Sequence, residues 1–169
     1  MLKLTTGRLL MIPCSLHIAK AMVFHREYLN TFLLTNVPVD WPGDELKAFL
    51  PYYIEEIERD PSLLGWGVWI LMDNARKTVV GDAGFKGKPD VFGTVEIGYR
   101  IHHDFRNSGY ASEAALALIN WAFAEDKDVQ KIKAECDEEN IPSIQVLQKL
   151  GMTRLPGKGP LLQWELKRM

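Results

Sequence analysis

Residues 94 to 124 read TVEIGYRIHHDFRNSGYASEAALALINWAFA, and this stretch constrains the fold more than any other. Its first nine residues, 94 to 102, are rich in β-branched and aromatic side chains and predict a strand. A short polar junction with a single glycine, Gly109, follows. Residues 108 to 124 then predict a helix, with Ala111, Ala115, Leu118 and Ala122 on one stripe, joined by Ala114 and Phe123. So many alanines let a helix lie close against a sheet. KIKAEC (131 to 136) returns as a strand. Strand, helix and strand in this order form a βαβ unit, whose strands lie parallel.

The remaining segments build a meander around that unit. RLLMIP (8 to 13) predicts the first strand, ended by Pro13. Residues 15 to 34 carry a helical pattern through Leu16, Ala19, Val23, Tyr28 and Phe32. VPVDWPGDE (37 to 45) is a loop. Asp44 is placed to cap a second helical region, in which Pro51 starts or kinks the second half. GWGVWILMD (65 to 73) and TVVGDAGFKG (78 to 87) read as hairpin partners across DNARK. After 131–136, a helix begins at Asn140 or Ile141 and stops at Gly151. MTRL and LLQWEL (161 to 166) close the chain as a hairpin across Pro156 to Pro160. The predicted class is mixed α/β, in one domain spanning 1–169.

Composition excludes several functions. At 47% hydrophobic and 25% charged residues, the chain sits with globular proteins and not with disordered ones. A net charge of −2 and the lack of a long Lys/Arg cluster argue against a nucleic-acid surface. No apolar run reaches the roughly 18 residues of a membrane span, and MLKLTTGRLLMIP lacks the apolar core of a secretory leader. Cys14 and Cys136 show no metal-ligand spacing, so no metal is expected. A reducing cytoplasm is the expected compartment.

The junction HDFRNSGYASEA admits two readings. One is a turn with a helix cap. The other is a phosphate cradle, because a helix N-terminus carries unpaired N–H groups and about half a positive charge. It is neither a Walker loop nor a GxGxxG fingerprint.

R-N-S-G-Y-A (106 to 111) fits the pattern Q/R-x-x-G-x-G/A. With TTGRLLMIP (5 to 13), VEIGYRI and N-I-P-S-I-Q-V-L-Q-K-L-G-M (140 to 152), the sequence resembles the GNAT N-acetyltransferase superfamily. It looks most like the branch that acetylates ribosomal-protein N-termini, the Rim type. The resemblance covers essentially the whole chain. It implies a GNAT fold: a mostly antiparallel twisted sheet of about seven strands, with a parallel splayed pair and about four flanking helices. It also implies acetyl-CoA as co-substrate. The pyrophosphate would lie on the amides of Arg106, Asn107, Ser108, Gly109, Tyr110 and Ala111, extending to Ser112. The pantetheine arm would pair with Tyr99, Arg100 and Ile101, and Asn140 would bond the arm or cap its own helix.

Acetyl transfer to an amine needs a neutral nucleophile, a stabilised oxyanion and a protonated leaving thiolate. Glu96 is the candidate base, since a glutamate in the middle of a central strand should have a reason; pairing with a cation is the other reading. The resemblance places the oxyanion near a backbone N–H at Tyr99. It also expects a tyrosine seven residues after the asparagine as the acid. Here that position is Leu147, and the Rim-type substitute is Ser143.

Neutralising an α-amine costs less at pH 7 than neutralising a lysine, which favours N-terminal or small-molecule α-amines as acceptors. The chain is expected to act alone or as a homodimer. The resemblance makes residues 15 to 60 the substrate side, and their acidic excess from Asp40 to Asp60 either attracts a cationic amine or solvates a helix face. A non-catalytic acyl-CoA sensor on the same fold is the alternative function.

Overall fold

The computed structural model describes residues 1–157 and 159–169. Its strands form one eight-stranded sheet in the order β1-β2-β3-β4-β5-β6-β8-β7. The strands are β1 (Leu4–Thr5), β2 (Leu9–Pro13), β3 (Val68–Asp73), β4 (Thr78–Phe85), β5 (Thr94–Ile101), β6 (Lys131–Asp137), β7 (Thr153–Arg154) and β8 (Leu161–Lys167). Every neighbouring pair is antiparallel except β5–β6. The fold is therefore the expected mixed α/β sheet, with one further short strand, β1, pairing on the edge.

Five α-helices flank the sheet among the described residues: α1 (Leu16–Phe24), α2 (Leu29–Leu33), α3 (Asp44–Arg59), α4 (Tyr110–Glu125) and α5 (Ile141–Lys149). The sheet separates two apolar layers. Alternating side chains of β5, Val95 and Ile97, join Ala114, Ala115, Leu118 and Ala122 of α4 in one layer. Ile70 and Met72 of β3 join Leu46, Leu50, Tyr53 and Ile57 of α3 in the other. Strand side chains point alternately to the two faces, so β3 is buried throughout. The alanine stripe does what its small size allows. Ala114, Ala115 and Ala122 are fully buried, and Trp121 on the same helix fills the space between Trp66 and Trp69.

Two boundaries differ from the sequence pattern. The single helical segment expected over 15–34 is broken, because His25 leaves helical geometry (φ −140°, ψ 48°) and a 3₁₀ turn at Arg26–Tyr28 separates α1 from α2. The Arg26 guanidinium then donates to the carbonyls of Val39 and Trp41, at 3.1 and 2.8 Å, anchoring the next loop. Asp44 is the first residue of α3 and not its cap; Gly43 caps it without a side-chain bond, and the helix runs through Pro51. Gly151 does stop α5, in the left-handed region at φ +80°. The final hairpin pairs Thr153 with Glu165 and Arg154 with Trp164. Its connection across 156–160 includes position 158, which lies outside the described residues.

Candidate active site

β5 and β6 are paired only at Thr94–Lys131, Val95–Ile132 and Glu96–Lys133. Beyond that, β5 keeps to β4 as far as Ile101, and β6 keeps to β8 as far as Asp137. The two parallel strands therefore part after Glu96. A cleft of about 810 Å³ opens from the gap. Every residue predicted to bind the cofactor lines it: Tyr99, Arg100, Ile101, Arg106 through Ser112, and Asn140, with Ser143 beside them.

The mouth of the cleft is the junction before α4. Asn107 (φ +59°) and Gly109 (φ +85°) both adopt left-handed backbone, which turns the chain sharply into the helix. The first helical hydrogen bond runs from the Glu113 N–H to the Gly109 carbonyl. The N–H groups of Tyr110, Ala111 and Ser112 precede it, so they have no partner within the helix. Arg106 Nε donates to the Ile101 carbonyl at 3.2 Å, folding this side chain back along β5.

The junction is braced from the other end of the chain. Arg8 Nη1 donates to the Ser108 carbonyl at 2.8 Å, and its guanidinium lies 4.2 Å from the centre of the Tyr110 ring. The Tyr110 hydroxyl donates to the buried carboxylate of Asp73. Arg8 was visible only as part of the TTGRL strand; its partners lie about a hundred positions away, beyond any local pattern.

Deeper in the cleft two hydroxyls meet. Tyr99 Oη lies 3.0 Å from Ser143 Oγ. Burial pushes the Tyr99 phenol up, against the hydrogen bond from Ser143. The Asn140 side-chain oxygen accepts from the Ser143 N–H at 3.2 Å, so it caps α5 and leaves its amide NH₂ free of that task. Leu147 is fully buried in the core, and no hydroxyl stands at its position.

The opposite face of β5 carries Glu96, Gly98 and Arg100. A second cleft of about 490 Å³ lies on this side, against α3 residues Phe49, Tyr52 and Glu56. Asp82, Tyr99 and Arg100 line both clefts, so the two meet there. Glu96 pairs with Lys86 at 3.2 Å and is not among the residues lining either cleft. Arg100 Nε and Nη2 donate to Asp82 Oδ1 at 3.1 and 3.0 Å, while Trp41 Nε1 donates to Asp82 Oδ2 at 3.1 Å. Burial pushes the Asp82 carboxyl up, against the pull of Arg100 and Trp41.

A clamp closes the loop between α2 and α3 over the end of β5. His102 Nε2 and His103 Nε2 face the two oxygens of Asp40, at 2.5 and 2.6 Å. His103 Nδ1 is also 2.9 Å from Asp104. The ligand-type atoms of Asp40, His102 and His103 all lie within 4.8 Å of one another. The two short separations are hydrogen-bond lengths; an ion held at about 2.0–2.2 Å from each atom would need them wider. Asp40 lies in a loop between helices, and sequence spacing does not relate it to the adjacent histidines.

A family model described as "Acetyltransferase (GNAT) domain" matches residues 8–153. The "Uncharacterized N-acetyltransferase YjdG" of Bacillus subtilis is 36% identical over 112 residues, covering 66% of this chain and 66%, just under two thirds, of that protein. Among solved structures, an acetyltransferase from Agrobacterium tumefaciens aligns with a TM-score of 0.67 at 20% identity, over 99% of this chain and 95% of that one. RimL, a ribosomal L7/L12 α-N-protein acetyltransferase solved with coenzyme A, aligns with a TM-score of 0.66 at 15% identity, over 96% and 95%. At these identities the structures attest a shared fold. The matched span runs from the arginine that braces the junction through both parted strands to α5, and on that ground the chain belongs to the GNAT acetyltransferase family.

Proposed function

We propose that this chain moves the acetyl group of acetyl-CoA to a primary amine, either a protein N-terminal α-amine or a small molecule, by direct attack in a ternary complex. One observation carries the reading. β5 is flanked by two clefts on opposite faces that meet at Tyr99 and Arg100, so two reactants can reach one point from two sides.

The first cleft fits coenzyme A by its chemistry. The N–H groups of Tyr110, Ala111 and Ser112 and the positive end of α4 suit a pyrophosphate. The free edge of β5 from Ile97 to Ile101 suits the amide-bearing pantetheine arm, which can pair as a strand does. The thioester would then lie near the Tyr99 and Ser143 hydroxyls. There Ser143, held by Tyr99, would hydrogen-bond the departing sulfur, the task for which Leu147 has no group. The amine would enter by the second cleft. Glu96 lies on that face, two residues before the bare backbone of Gly98, and would take the amine's proton through water. The buried free thiols Cys14 and Cys136 suit a reducing, cytoplasmic setting.

Thiol release from acetyl-CoA, followed over a panel of amines, tests the proposal. Acceptor-dependent release that Gly109→Trp abolishes is the expected result. Binding of acetyl-CoA without transfer to any amine would make the protein a sensor.

A further inference from the structure

Arg100 is held on one edge and presented on the other. Its Nε and Nη2 are fixed by Asp82, whose side chain is 5% exposed and is itself held by Trp41. Its Nη1 points outward and donates to Glu45 Oε2 at 2.9 Å. Glu45 sits on the first turn of α3 with its side chain 80% exposed. The two carboxylates on this guanidinium are therefore unlike. Asp82 is built in, whereas Glu45 is a solvent-facing carboxylate of the kind whose ion pairs contribute little and exchange readily.

We propose that the outward edge of Arg100 is a carboxylate subsite, which Glu45 fills until an acceptor arrives, and that the acceptor is an amino acid. This rests on the acetyl-transfer reading above. The placement supports it, since Arg100 lines both clefts where they meet. Gly98 lies two residues before Arg100 on the same face, and a Cβ built on it meets nothing within 4 Å, so the backbone there is open to an acceptor. An acceptor that offers its amine near Gly98 and a carboxylate to the outward edge of Arg100 carries both groups on one molecule, as an amino acid does. A guanidinium locked in plane is preorganised for such an anion.

The test compares kcat/KM for phenylalanine, phenylalaninamide and phenethylamine in the thiol-release assay. The acid should exceed both carboxylate-free amines by about tenfold or more, the weight of a charge-assisted contact. Arg100→Lys should lower that acid-to-amide ratio by about tenfold. Glu45→Gln, a surface change that removes the competing carboxylate, should raise the ratio several-fold. A thermal shift with acetyl-CoA in each variant shows that the first cleft is intact. Turnover of the amide equal to or better than the acid, or a ratio unmoved by Glu45→Gln, would overturn the subsite alone. No turnover with any amine, while acetyl-CoA still binds, would overturn the transfer reading and this one together.

Discussion

Arg8 and Glu113 stand 105 positions apart and are joined twice: the Arg8 backbone N–H donates to Oε1 and its Nε to Oε2, each at 2.8 Å. The Thr6 hydroxyl adds a third bond to Oε1. The edge of the sheet is thereby tied to the first turn of α4, where a carboxylate also complements the helix dipole. Burial pushes the Glu113 carboxyl up, but the Thr6 hydroxyl and both Arg8 donors outweigh it and hold it below the ordinary glutamate value. A lowered folded-state value means stability that is present above the unfolded pKa, about 4.3, and lost as pH falls through the folded one. Glu113→Gln should remove that acid-side loss. At pH 7 it should lower stability by about 1 kcal/mol, discounted for the half-exposed Arg8, or roughly 2–4 °C in Tm. Melting curves from pH 3 to 7 on both proteins check this.

Gly109 offers a separate handle on the cradle. At φ +85° any other residue is strained, and an added Cβ would stand 3.3 Å from Arg8 Nη2. Gly109→Ala should cost about 1–2 kcal/mol of stability. It should also weaken acetyl-CoA more than it weakens folding, because Arg8 must shift away from the Ser108 carbonyl. Calorimetric titration with acetyl-CoA beside a denaturation curve separates the two effects. Equal affinity in both proteins would place the phosphates elsewhere.

The Asp40 clamp should respond to pH in a defined window. Hydrogen bonds from His102 and then His103 hold the Asp40 carboxyl well below the ordinary carboxylate range. Asp40 in turn raises His103, against desolvation and with help from Asp104. The lowered carboxyl supports the closed loop above about pH 3.9 and fails as pH falls through its folded value. The raised imidazole gives full support below about pH 6.5 and loses it as pH rises through its folded value. The loop of residues 36–43 should therefore be best protected in mildly acidic solution and loosen toward pH 9. Hydrogen exchange corrected for intrinsic rates should show that change, and Asp40→Asn should abolish it.

The hydroxyl pair in the first cleft predicts coupled kinetics. Tyr99→Phe removes the partner that holds Ser143 Oγ, and Ser143→Ala removes the group nearest the expected sulfur. Each should lower kcat by about tenfold with little change in acetyl-CoA affinity, and the double variant should be little worse than either single one. Strict additivity of the two losses would separate Tyr99 from Ser143 in the mechanism.

Much of this site lies in one contiguous stretch, which is why it can be read from sequence. Residues 94–112 supply a strand, a left-handed glycine and the start of a helix, and all three signals are local. The parallel pair follows from the crossover helix alone. The groups that hold the site in place were not legible. Arg8, Asp40 and Asp82 each act on residues 18 to 105 positions away, and none carries a periodic signal. Asp82 reads as an ordinary charge in a strand until Arg100 is found directly opposite it. The break at His25 was likewise hidden, because the apolar spacing of residues 15–34 continues across a residue whose backbone leaves the helix.

The short contact between β5 and β6 has a mechanical consequence. Three residue pairs join strands β1 to β5 and their helices to the ribbon of β6, β8 and β7. The rest of that boundary is an interior sheet edge whose partner the chain does not encode. A molecule lying along it would act as the missing rung of a ladder and stiffen a seam between two half-sheets. Saturation should then be felt far from the cleft, as slower opening of β8 and a more cooperative melt, with the small molecule serving as a structural member of the fold.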